Sequence, residues 1–122
     1  MTTAAAQPRA VANGMSAMEA RELLNIPEFR AELTAAERTQ LESVARGETL
    51  YGTQSVVSAG KALVKLIKKY GPSLYDKAQA AAKRGLSAFK NWARDLSWYH
   101  PVRLAVLAAG DAVLRHVISI LT

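Results

Sequence analysis

The chain carries its own punctuation, and that punctuation cuts it into short helices. Ser16-Ala17-Met18-Glu19 and Thr34-Ala35-Ala36-Glu37 have the spacing of capping boxes, in which two side chains satisfy each other's free amides at a helix start. Pro27, Pro72 and Pro101 each suit a first helical turn, where the missing N–H costs nothing. Gly47, Gly71 and Gly85 each follow a helical pattern, as left-handed caps do. Helices this short are marginal alone and need a surface to pack on. The reading is an all-α fold, favoured further by abundant Ala and an aromatic content of only 7%.

In order, a first helix runs from Ser16 with Met18, Leu23 and Leu24 inward, and Asn25-Ile26-Pro27 ends it. A second holds Phe29 and Leu33; a third holds Leu41 and Val44 and stops at Gly47. Residues 1–15 read as a flexible tail, 16–47 as an acidic module of short helices, 48–55 as a linker, and 56–122 as a basic bundle of about four helices. In the first of these four, Lys61, Lys65, Lys68 and Lys69 fall within an arc of about 100° at helical periodicity. Leu63, Leu66, Ile67 and Tyr70 lie opposite. The next helix turns Leu74, Tyr75, Ala78 and Ala81 or Ala82 inward, and the third turns Leu86, Phe89, Ala93 and Leu96.

The last element, 101–121, is expected to be one apolar helix. Its ten aliphatic side chains favour membrane insertion by about 3–6 kcal/mol, but Asp111 and Arg115 oppose it by roughly 2.5–3.5 kcal/mol each. It is therefore read as the buried central helix of the bundle, with Asp111 and Arg115 as a surface pair at i, i+4.

Charge divides at the linker. The first fifty residues carry seven acids against five Arg, a net −2; the rest carry three Asp against eleven Lys and Arg, a net +8. A cationic, amphipathic segment behind an acidic one points to a polyanionic partner, with the acidic helices as a built-in mask. The candidate anion-binding set is Lys61, Lys65, Lys68, Lys69, Lys77, Lys83, Arg84, Lys90 and Arg94. Lys-rich clustering is unlike base reading, where Arg and Asn on a recognition helix are the rule. Near an anionic membrane each basic residue contributes about 1 kcal/mol. Trp92, Trp98 and Tyr99 are the matching interfacial aromatics, since indole and phenol rings favour the headgroup layer.

Other chemistry lacks residues. The chain has no Cys, which removes thiol catalysis, disulfides and Cys-based zinc sites. His100 and His116 have no metal-binding spacing, the glycines match no phosphate loop, and no serine sits in a nucleophile elbow. No enzyme activity, metal or cofactor is expected. The N-terminus lacks the apolar core of an ordinary signal peptide, so a secreted or membrane-associated protein would leave by another route, and a cytoplasmic one is the alternative.

From Leu63-Val64-Lys65-Leu66-Ile67-Lys68-Lys69-Tyr70-Gly71 onward the chain resembles the leaderless, cysteine-free bacteriocins of the aureocin and lacticin Q type. Lys69-Tyr70-Gly71 is followed by the Ala-rich stretch 78–82, by Lys83-Arg84-Gly85-Leu86, and by Phe89-Lys90-Asn91-Trp92. The likeness covers about residues 61–121. It implies a compact saposin-like bundle of four helices with a Lys-rich surface and exposed Trp, killing by disruption of anionic membranes without a protein receptor. The chain departs from the family in its N-terminal helices and in a last helix almost bare of Lys. The leading expectation is a cationic antimicrobial protein or its precursor, binding anionic membrane lipid and able to assemble there. A basic binding module for nucleic acid or an acidic protein is the second, and a structural subunit of a larger particle the third.

Overall fold

The computed structural model describes residues 14–48 and 53–122, and among them every regular element is a helix. The eight are α1 (Ala17–Leu24), α2 (Pro27–Arg30), α3 (Ala35–Ala45), α4 (Thr53–Lys69), α5 (Pro72–Lys83), α6 (Leu86–Arg94), α7 (Pro101–Ala108) and α8 (Asp111–Leu121). Residues 1–13 and 49–52, most of the expected tail and half of the expected linker, lie outside the described residues. Met15, at the end of that tail, is buried, and Thr53 to Ser55, the end of that linker, already belong to α4.

Both capping boxes form. Ser16 Oγ accepts from Glu19 N–H at 3.1 Å while Glu19 Oε1 accepts from Ser16 N–H at 2.8 Å, and Thr34 and Glu37 repeat the exchange. Gly71 and Gly85 lead into α5 and α6 with φ of +103° and +109°. No side chain crowds either position. Glycine is needed there for the backbone angle alone.

The core is one cluster running from Met15 to Leu121. Phe29, Leu23 and Leu41 from the first three helices are as buried as Leu63, Phe89 and Leu114 from the rest. The central element is α4, which packs on α2, α3, α5, α7 and α8. That place had been expected for the last helix. Among the described residues, the solvent-open strip of α4 runs through Gln54, Lys61, Lys65 and Lys68, with the exposed Lys69 at its edge. The approach of α8 to α4 is close at Gly60, where a Cβ would stand 2.6 Å from His116 Cδ2. Gly60 is therefore a packing position inside a helix.

The expected single helix over 101–121 is two helices. Ala109 and Gly110 are extended (ψ 142° and 174°), and Gly110 lies against the side chain of Glu19 with no room for a Cβ. Asp111 then opens α8, an acid in a first turn where the helix dipole favours it. The break lets α7 pack on α1, α2 and α6 while α8 runs along α4 and α5. No helix among the described residues is long and apolar enough to cross a membrane. Asp111 does not pair with Arg115 as expected; it meets Lys90 Nζ at 2.8 Å. The Lys90 ammonium, first by hydrogen bond and then by charge, holds the Asp111 carboxyl below its usual range.

Candidate functional site

The nine candidate cations do not form one face. Lys61, Lys65 and Lys68 follow one another along the open strip of α4, and Lys68 Nζ stands 5.5 Å above the ring of Tyr75. Lys69 leaves the strip to meet Glu32 at 3.6 Å, the one ion pair joining the acidic and basic segments among the described residues. Lys90 is held by Asp111. Lys77 on α5 and Arg84 at its C-cap border α6, Lys83 is exposed beside them, and Arg94 Nη1 donates to Asn91 Oδ1 at 3.1 Å. With the N-terminal helices in place, Lys61, Lys65 and Lys68 remain exposed, so those helices do not cover them.

The aromatic residues separate more sharply. Trp92 is half-buried, its ring 5.3 Å from that of buried Phe89, so it belongs partly to the core. Trp98 and Tyr99 are 76% and 66% exposed, with ring centroids 5.6 Å apart and planes nearly perpendicular. Such exposure of two neighbouring aromatics is expensive in water.

The turn that presents them is held from three sides. His100 N–H donates to Ser97 O at 2.8 Å, closing the turn. His100 Nδ1 accepts from Val102 N–H at 3.1 Å, so the imidazole caps α7. The His100 ring packs on Tyr70 at 4.7 Å, which ties the turn to the end of α4. Arg103 Nη1 donates to the carbonyls of Arg94 and Leu96 and ties it to the end of α6. Burial pushes the His100 imidazole below its ordinary value, in keeping with a neutral ring whose Nδ1 accepts. Burial, and then the charge of Glu28, push the neighbouring Tyr70 phenol up.

One part of the surface was not anticipated. α7 turns Val102, Ala105 and Val106 into the core but leaves Leu104 and Leu107 each 42% exposed. Together with Ile26, Glu22 and Ala108 they line a shallow groove of about 310 Å³ between α1 and α7. Met18, expected to point inward, is 61% exposed on α1. The signal was present in the sequence: a helix apolar at 102, 105 and 106 and again at 104 and 107 is apolar on two sides. Among the described residues no group of acids and histidines is placed to hold a metal.

None of the protein-family models, curated proteins or solved structures compared with the chain matches it.

Proposed function

We propose that the protein binds anionic membrane surfaces end-on and disrupts them from the interface, as a secreted, cationic, bacteriocin-like protein. The observation that carries this reading is the rigidly held, exposed pair Trp98 and Tyr99. It lies where the ends of α4 and α6 meet the start of α7, the helix that also exposes Leu104 and Leu107. Lys68 and Arg94, near the ends of α4 and α6, stand at the same end of the molecule with Arg103 of α7. Burying each large aromatic contributes about 1.5–3 kcal/mol, and each nearby cation about 1 kcal/mol on anionic lipid. Two aromatics and two or three cations are enough to hold a small protein at an interface. Damage then comes from apolar side chains wedged among headgroups, a mode that needs no spanning helix.

Residues 14–48 take part in this form. They supply core side chains and leave the α4 strip uncovered, so activity does not require their removal. The decisive experiment is dye release from vesicles rich in phosphatidylglycerol, compared with vesicles of phosphatidylcholine. Release confined to the anionic vesicles, and suppressed by salt, is expected. Intact vesicles together with salt-sensitive retention of DNA or RNA would replace this reading with the nucleic-acid one.

A further inference from the structure

α5 and α6 form a hairpin joined through Arg84 and Gly85. Each turns a stripe at i, i+3, i+4 and i+7 toward the other: Lys77, Ala80, Ala81 and Arg84 face Ala88, Asn91, Trp92 and Asp95. Facing stripes in a helical hairpin ordinarily close on each other through apolar side chains. Here three of the eight positions are Ala, too short to meet across the gap, and four of the rest are polar or charged. The result is a cleft of about 400 Å³. It is open to solvent, with Lys77, Ala80, Arg84, Asn91 and Asp95 all exposed. The stripe spans seven residues of helix, about 10 Å.

The polar groups in the cleft are not spent on one another. Every acid of the chain is among the described residues, and neither Lys77 nor Arg84 has a carboxylate within ion-pair reach there. No hydrogen bond joins the two stripes among the described residues. Asn91 already accepts from Arg94 through Oδ1, which leaves its NH₂ free to donate. The cleft thus offers an ammonium, a guanidinium and an amide N–H to an anion, one carboxylate to a donor, and the side of an indole to an apolar group. Guanidinium forks match phosphate oxygens in shape as well as charge.

We propose that this cleft binds a phosphodiester whose head carries a hydroxyl or ammonium donor. The phosphate lies toward Arg84 and Asn91, and the donor lies on Asp95. Such a ligand is a phospholipid headgroup or its free, deacylated form. This step rests on the membrane reading above, and the test separates the two.

The full chain is titrated with glycerophosphoglycerol, and separately with inorganic phosphate, while the side-chain N–H resonances of Asn91 and Trp92 are followed by NMR. Glycerophosphoglycerol is expected to shift both. The double variant Lys77→Gln/Arg84→Gln should weaken it by roughly tenfold or more, the scale of a lost charged hydrogen bond. Trp98→Ala should leave this affinity unchanged. Asp95→Asn should weaken glycerophosphoglycerol and strengthen inorganic phosphate, because the neutral amide is a weaker acceptor than the carboxylate and no longer repels the anion. On phosphatidylglycerol vesicles, Lys77→Gln/Arg84→Gln should lose more binding than Lys61→Gln/Lys65→Gln, which removes the same charge from α4.

Equal losses in the two double variants overturn the proposal, since charge alone would then explain binding. Equal affinity for inorganic phosphate, or no shift at Asn91 and Trp92, overturns it too, and does so even if the vesicles are still bound. A shifted cleft without vesicle binding supports the cleft for free phosphodiesters and removes the membrane reading instead.

Discussion

Two single residues show how closely the last helices are fitted to the rest. Gly60 sits in the middle of α4 under the ring of His116, and His116 Nε2 is buried without a hydrogen-bond partner among the described residues. Alanine at an ordinary helical glycine is stabilising by about 1 kcal/mol. At Gly60 the new methyl would overlap the imidazole, and overpacking of this kind costs about 1–3 kcal/mol. Gly60→Ala should therefore lower the urea midpoint, and His116→Ala in the same chain should recover part of the loss. His100 offers a second test, in pH. Its folded value lies below the ordinary one near 6.5, because the fold favours the neutral ring. The stabilisation is then complete above about pH 6.5 and is lost as pH falls through the lower folded value. Protonation removes the Nδ1 acceptor that caps α7, a contact of about 0.5–2 kcal/mol by comparison with other caps. His100→Asn keeps a capping acceptor without the titration. Its thermal midpoint should be flat between pH 7 and 5, where the parent's declines.

At the scale of elements, α7 and the turn before it carry the functional claim. Trp98→Ala removes a side chain that touches little of the fold, so the melting temperature should be unchanged while binding to anionic vesicles falls about tenfold. Trp92→Ala should do the reverse in part, lowering stability by about 2 kcal/mol through lost packing on Phe89. Most starts and stops of α1 to α6 were legible because caps act locally: Ser16 with Glu19, Thr34 with Glu37, and the glycines at 71 and 85 need no distant partner, whereas the start of α4 at Thr53 fell inside the expected linker. The break between α7 and α8 was not legible. It depends on Glu19, from the other end of the chain, lying against Gly110. The same holds at the surface. Trp98 and Tyr99, read as interfacial aromatics, are exposed, but Leu104 and Leu107 had been counted with the core of a single last helix. Nor could spacing along the chain reveal that Lys69 and Lys90 are taken up by Glu32 and Asp111.

At the scale of the whole molecule, the charge boundary and the packing boundary do not coincide. The formal charge changes sign between α3 and α4, yet α2 and α3 pack directly on α4 and share its core. A chain beginning at residue 53 would uncover the side of α4 that these helices cover. It is expected to lose its cooperative unfolding transition, whereas protein nicked between residues 48 and 53 should elute as one species. Separate transitions for the two parts, or a cooperative 53–122 fragment, would show two independent modules instead. The central position of α4 also sets an order in time. Its most extensive partner is α8, from which three helices separate it in the chain. During synthesis α4 therefore waits, with the notch at Gly60 open, until residue 116 has emerged. A message cut before codon 111 would yield a chain with seven of these helices and an open seam along one side of α4.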